Sequence, residues 1–126
     1  MLADGFYEWA RTGRAKQPWF FRLRDDEPFA FAGLWESWTS PDAGTIESTC
    51  LITTEANALL TSIHDRMPVM PSPAGANVWL DPVVKEPQLQ SLLARYSADE
   101  MDGFPVSSRV NSPRNEGPEL VERIEL

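Results

Sequence analysis

Two side chains, Glu8 and His64, are of types that can move protons. Glu8 lies within Gly5-Phe6-Tyr7-Glu8-Trp9, a predicted strand in which large aromatic residues flank the carboxyl group. Exclusion of water by these rings would raise the pKa of the carboxyl group toward that of a usable general acid. The alternative is an exposed carboxylate on an edge strand, with the rings packed on the opposite face.

His64 is the only histidine of the chain, so any proton transfer by an imidazole near neutral pH must use it. It precedes Asp65-Arg66-Met67-Pro68, where a predicted helix gives way to extended chain. The alternative is a histidine that only caps the end of that helix. One imidazole without a second histidine or a cysteine pair makes a poor transition-metal site, so we expect neither a metal nor another cofactor.

The remaining reactive groups give weaker signals. Cys50, the only cysteine, lies in a β-branched segment beside Leu51 and Ile52, and we expect an inert thiol in the core. No serine stands in a Gly-x-Ser-x-Gly motif and no glycine-rich phosphate loop is present, which excludes the commonest serine hydrolases and nucleotide-binding proteins. The five tryptophans could stack on nucleic-acid bases, but core packing is the expected role of each.

The charge is unevenly distributed. The net charge of −8 argues against a protein that attracts nucleic acid over its whole surface. Residues 11–24 nevertheless carry five bases and no acid, so this stretch could hold a phosphate backbone. We name Arg11, Arg14, Lys16 and, beside the histidine, Arg66 as candidate DNA-binding residues. The alternative is a solvated hairpin with ordinary surface cations.

The pattern of apolar residues predicts strands first and helices later. A hairpin is expected from strands at 6–9 and 18–23, followed by a strand at 29–35 covered on both faces and another at 46–53. Amphipathic helices are expected from Thr54 to His64 and from Glu86 to about Tyr96. Further strands are expected at 104–110 and 119–124. This order predicts an α+β fold with a mostly antiparallel sheet that forms a partial barrel, and with two main helices.

The length of 126 residues allows one domain with a core of its own, and we expect a single domain over 1–126. No apolar run approaches the roughly 20 residues that cross a bilayer. The first residues resemble no secretory signal, so we expect a cytoplasmic protein that does not engage membranes.

Three stretches together resemble the SOS-response-associated peptidase family, also called the SRAP domain. The similarity extends to Val106-Ser107 and Val110-Asn111 and covers essentially the whole chain. The three stretches are Ala3-Asp4-Gly5-Phe6-Tyr7-Glu8-Trp9, Phe31-Ala32-Gly33-Leu34-Trp35-Glu36, and Thr53-Thr54-Glu55-Ala56-Asn57 running on to Ile63-His64-Asp65-Arg66-Met67-Pro68-Val69.

The resemblance implies an α+β domain whose groove binds single-stranded DNA at abasic sites. Such proteins trap the aldehyde of the site on an N-terminal cysteine, whose amine forms a Schiff base before its thiol closes a thiazolidine ring. Glu8 matches the family's catalytic glutamate and His64 its active-site histidine. The same groups are proposed to serve a self-processing peptidase activity.

The sequence departs from the family pattern at its start. It begins Met1-Leu2, with no cysteine at position 2, and resembles the C-terminal part of the domain. We therefore expect weak, salt-dependent DNA binding without the crosslink, and unpaired edges that favour homo-oligomers. The alternatives are a non-enzymatic oligomeric interaction module and an independent Glu/His hydrolase.

Overall fold

The computed structural model describes residues 1–13, 15–42 and 44–126. Its strands are β1 (Leu2–Ala3), β2 (Phe6–Thr12), β3 (Ala15–Leu23), β4 (Phe29–Ala30), β5 (Gly33–Ser40), β6 (Gly44–Leu51), β7 (Thr53–Glu55), β8 (Arg66–Pro68) and β9 (Met101–Pro105). Its α-helices are α1 (Pro73–Leu80) and α2 (Glu86–Gln90), and 3-10 turns cover Ala98–Glu100, Ser108–Asn111 and Pro118–Leu120. The fold is α+β.

The strands form four small antiparallel sheets, and no closed barrel is present in the described part of the chain. The largest sheet has the order β2-β3-β9, so β2 lies at its edge, and the others pair β1 with β4, β5 with β6, and β7 with β8. The hairpin of β2 and β3 is confirmed. Its turn is tighter than the sequence predicts, and Gly13 supplies the left-handed backbone with a φ of 62°.

Two hydrophobic clusters share β3, whose successive side chains point to opposite faces of the sheet. Phe21 packs with Leu60, Met67 and Met101 on one face, and Phe20 packs with Phe104 and Val106 on the other. The segment that follows β7 is thereby held against the same sheet that carries Glu8.

The predicted strand at 29–35 is wrong in extent. It is divided into β4 and β5 because the intervening residues bond elsewhere: the Phe31 N–H donates to the Met1 carbonyl and the Ala32 N–H to the Val69 carbonyl. The strand predicted at 46–53 is likewise divided into β6 and β7.

The predicted helix from Thr54 to His64 is wrong. Thr54 pairs with Met67 in the β7–β8 ladder, and hydrogen-bonded turns replace the helix over 57–64. The turns begin at Asn57, which is 4% exposed and whose Oδ1 accepts from the N–H groups of Leu59 and Leu60. The apolar spacing still identifies the buried side, since Leu60 is completely buried.

The remaining helices also differ from the prediction. Helix α1 is not predicted from the sequence. Pro73 occupies its first turn, where proline is tolerated, and Ser72 Oγ accepts a hydrogen bond from the Gly75 N–H at 3.1 Å. Helix α2 ends at Gln90, well short of Tyr96.

The strand predicted at 104–110 is β9 followed by a 3-10 turn. The strand predicted at 119–124 is reduced to an isolated bridge between Val106 and Arg123 beside the last 3-10 turn.

The expected core positions of Cys50 and two tryptophans are also wrong. Cys50 is exposed, and the side chains of Trp35 and Trp38 are 71% and 58% exposed. All three lie on β5 and β6, which pair only with each other within the described residues. Among the described residues, no helix is both long and apolar enough to span a membrane.

Candidate functional site

Glu8 and His64, which are 56 positions apart in the sequence, line the same cavity of about 420 Å³. Glu8 and Trp9 follow one another on β2 and point to opposite faces of the sheet. The cavity contacts both because β2 lies at the edge of that sheet. His64 lies at the end of the turns at 57–64, Lys16 lies on β3, and Asn111 lies in the 3-10 turn Ser108–Asn111. The lining residues are Glu8, Trp9, Arg11, Lys16, His64 and Asn111.

Burial raises the pKa of Glu8 above its usual value of 4.5. The side chain is half-buried, so its charged form loses part of its hydration. The nearby His64 and the Trp9 backbone N–H lower the pKa and Asp65 raises it, but desolvation outweighs each of them. Glu8 can therefore hold a proton at a higher pH than a free carboxyl group, as a general acid must.

The imidazole of His64 is anchored through Nδ1. This atom lies 3.1 Å from both the Arg66 backbone N–H nitrogen and the Arg66 carbonyl oxygen, and 3.4 Å from an Asp65 carboxylate oxygen. When Nδ1 accepts from the Arg66 amide, the neutral ring carries its proton on Nε2. In that tautomer Nε2 carries the exchangeable ring proton of His64, a residue that lines the cavity.

Two of the four candidate DNA-binding residues lie at the cavity. Arg11 and Lys16 are directly opposite one another in the β2–β3 ladder, and both side chains are exposed. Like charges in this relation repel each other, so an anion that binds between them relieves the repulsion. Arg14 lies outside the described residues.

Arg66 does not line this cavity. Its guanidinium group donates to the Thr53 carbonyl at 2.6 Å and to the Thr53 hydroxyl group, which fastens the side chain to β7. The Arg66 backbone N–H nevertheless positions the His64 ring by donating to Nδ1.

Trp9 and Asn111 are lining residues that the analysis of charge and spacing did not select. The Trp9 indole N–H donates to Asn111 Oδ1 at 2.7 Å, a bond between residues 102 positions apart. The 3-10 turn holding Asn111 begins with a Ser107 hydroxyl cap on the Arg109 N–H. No periodic pattern in the sequence indicates this bond. Asn111 was named before only as part of the family resemblance.

The cavity contains one carboxylate and one imidazole, with two cations at its margin. No group of three or more His, Cys, Asp or Glu residues is placed to hold a metal ion within 1–13, 15–42 and 44–126. Cys50 lines a different, largely apolar cavity beside Trp35 and Trp79. The arrangement supports acid–base chemistry next to an anion-binding margin.

Comparison with known proteins gives a consistent assignment. The family described as SOS response associated peptidase (SRAP) matches residues 1–113. The abasic site processing protein YoqW of Bacillus subtilis (strain 168) is 46% identical over 122 residues, which are 95% of this chain and 54% of that protein. The abasic site processing protein HMCES of Gallus gallus is 30% identical over 146 residues, which cover 100% of this chain and 43% of that protein.

The fold is also found in a crystal structure of a protein from Bacteroides thetaiotaomicron. It superposes with a TM-score of 0.90 at 27% identity, and the match covers 99% of this chain and 56% of that one. The chain thus spans about half the length of the curated relatives it matches.

Proposed function

Because the chain belongs to the SOS response associated peptidase (SRAP) family, we propose that it takes part in processing abasic sites in single-stranded DNA. The observation that carries this proposal is the joint position of Glu8 and His64 in one cavity with Arg11 and Lys16 at its margin. The names of the relatives from Bacillus subtilis and Gallus gallus support it.

The proposed chemistry begins with the closed sugar of an abasic site, a cyclic hemiacetal. Opening it requires that the C1 hydroxyl group lose a proton and that the ring oxygen gain one, which exposes an aldehyde. Glu8 is suited to deliver or accept these protons because burial raises its pKa. His64, through Nε2, is suited to the complementary transfer.

The strand of DNA would be held by its phosphates. Arg11 and Lys16 provide two cations at the cavity, and we propose that Arg14 and Arg66 extend this contact along the backbone. A strand bound this way places the sugar at the mouth of the cavity, where Trp9 offers an aromatic ring for stacking in place of the missing base.

Cys50 is not proposed as the trapping nucleophile. As a residue in the middle of the chain it has no free α-amine beside its thiol, and it lines the other cavity. We therefore propose that this chain recognises abasic DNA without a crosslink to its own cysteine.

We further propose that residues 1–126 act as one unit, since β3 supplies Phe21 to one cluster and Phe20 to the other. The cytoplasmic location predicted from the sequence stays a prediction.

The test compares two fluorescent single strands of equal sequence, one with a single abasic site, by competition anisotropy. The chain is expected to prefer the abasic strand, and Glu8→Gln and His64→Gln are expected to reduce that preference. Glu125→Gln makes the same change of charge as Glu8→Gln at an exposed position outside the cavity, so it should keep the preference. Equal affinity of the unmodified chain for both strands would refute the proposed function.

A denaturing gel of the same mixtures, with and without borohydride, tests the role of the thiol. Cys50→Ser is expected to give the same bands as the unmodified chain in both lanes. An adduct that survives without borohydride and disappears in Cys50→Ser would contradict the proposal.

A further inference from the structure

The C-terminal part of the chain holds two aromatic side chains of β2. Tyr7 and Trp9 are two positions apart on this strand and therefore lie on the same face of the sheet. The Tyr7 hydroxyl group donates to the Leu120 carbonyl at 3.4 Å, and the Trp9 indole N–H donates to Asn111 Oδ1 at 2.7 Å. The two rings are thus bonded at their polar edges to residues 113 and 102 positions further along the chain.

Asn111 is itself held in place by the segment that carries it. The segment starts at Val106, which is completely buried and donates its N–H to the Pro18 carbonyl at 3.1 Å. Further along, Asn115 Nδ2 donates to the Arg109 carbonyl at 2.7 Å, which closes the chain around Asn111. The carboxamide oxygen of Asn111 therefore stands at a defined position beside the cavity that this residue lines.

The bond to Asn111 determines how the Trp9 ring is oriented. Trp9 is half-buried on an edge strand, where its side chain has several staggered orientations available. The Tyr7 ring, whose centroid is 6.3 Å away, is tilted by 43° against the indole and does not stack on it. Within the described residues, Asn111 is the only hydrogen-bond partner of the indole N–H, and 2.7 Å is at the short end of the range for such bonds. This bond therefore fixes the plane of the ring at the cavity.

Resting on the function proposed above, we propose that Asn111 is a positioning residue that holds the Trp9 ring where it fills the gap left by the missing base. In an undamaged strand the base itself occupies this gap, so a fixed indole gives that strand no such advantage. In an abasic strand the ring stacks between the neighbouring bases, and a ring already held in the right plane loses less conformational entropy on binding. Asn111 thus acts on the preference for the abasic strand and not on the general affinity for single strands.

The test compares two replacements of nearly the same size as asparagine. Asn111 is exposed, so neither replacement should prevent folding. Asn111→Leu removes the acceptor, whereas Asn111→Asp keeps an acceptor oxygen for the indole N–H and adds one negative charge. Competition anisotropy then measures the ratio of the affinities for the abasic and the undamaged strand.

Asn111→Leu should lower this ratio about fivefold, which is the lower end of the contribution of one stacked base. Asn111→Asp should bind both strands more weakly, because its charge repels the phosphates of each, and should keep the ratio. Asn77→Leu makes the same replacement at an exposed position of α1 outside the cavity and should change neither affinity.

A second experiment asks whether Asn111 acts through Trp9. In the background of Trp9→Phe, which has no indole N–H, Asn111→Leu should leave the affinity ratio unchanged. The bond itself is visible without DNA in a nitrogen–proton NMR spectrum, where the signal lost in Trp9→Phe identifies the Trp9 indole among the five tryptophans. The proton of that signal should move upfield in Asn111→Leu and stay near its place in Asn111→Asp.

Three results would overturn the proposal while the unmodified chain still prefers the abasic strand. One is an unchanged ratio in Asn111→Leu, and another is an equal loss in Asn111→Leu and Asn111→Asp, which would assign the effect to the amide N–H groups of Asn111. The third is a further loss caused by Asn111→Leu in the Trp9→Phe background. Equal affinity of the unmodified chain for both strands would instead refute the proposed function on which this inference rests, so the two failures are distinguishable.

Discussion

Replacing the two cations at the cavity margin should weaken the salt dependence of DNA binding by a calculable amount. Arg11 and Lys16 are exposed, directly opposed across the β2–β3 ladder, and positioned to contact about two phosphates. The variant Arg11→Gln/Lys16→Gln removes both contacts. Each phosphate contact with a single strand releases counterions, so its loss changes the slope of log K against log salt by about 0.7.

The expected change for two contacts is therefore a slope smaller by about 1.4. Between about 50 and about 200 mM salt, a slope of this size corresponds to a factor of about seven in affinity. The ratio of the affinity of the unmodified chain to that of the variant should thus shrink about sevenfold over this range. The variant should lose affinity mainly at low salt.

Fluorescence anisotropy with an undamaged single strand at several salt concentrations measures these slopes. The matched control is Lys85→Gln/Arg95→Gln, which also changes the net charge from −8 to −10 but lies outside the cavity. Its slope should equal that of the unmodified chain. If the two double variants lose slope equally, the effect belongs to net charge and the assignment of the phosphate contacts is refuted.

Three further predictions concern the residues around the site. Burial raises the pKa of Glu8, so the folded state favours the protonated carboxyl group and loses stability as the pH rises from about 4.5 through the raised pKa. Glu8→Gln should remove this loss, so urea unfolding should show the variant gaining stability relative to the unmodified chain between about pH 4 and about pH 7. A difference in stability that is the same at both pH values would refute the pKa shift. Asn57→Ala removes a cap for two N–H groups and a donor to the Tyr96 carbonyl, and should cost about 2–3 kcal/mol in the free energy of unfolding, while the exposed Asn77→Ala should cost under about 1 kcal/mol. Asn111→Ala should lower the free energy of unfolding by about 1 kcal/mol, because it removes the acceptor for the Trp9 indole N–H. In a chain that already carries Trp9→Phe the N–H is gone, so Asn111→Ala should then have no further effect, and additive losses in the double variant would contradict the bond.

Local patterns in the sequence predict the parts of the fold that depend on neighbouring residues. The hairpin of β2 and β3 follows from apolar strands on either side of a polar turn containing Gly13. The apolar side of residues 56–63 is also correct, since the spacing that places Leu60 in the core is shared by a helix and by consecutive turns.

The errors arise where distant partners decide the structure. Thr54 is a plausible helix cap by local rules, but a ladder with Met67 places it in a strand. The exposure of Trp35 and Cys50 likewise depends on whether another layer covers β5 and β6, which no pattern within those strands reveals. At the site, residue types predict Glu8 and His64 as acid–base groups, whereas the bond between Trp9 and Asn111 emerges only from the tertiary structure.

The central claim is that the cavity of Glu8 and His64 receives the abasic site, and the imidazole resonances of His64 test it most directly. His64 is the only histidine, so its two ring C–H signals are assigned without ambiguity in a carbon–proton NMR spectrum. We predict that a single strand with one abasic site shifts these signals more than the undamaged strand at equal saturation, and that Glu8→Gln reduces the difference. Ring signals that remain unmoved when the abasic strand saturates the protein would contradict the account.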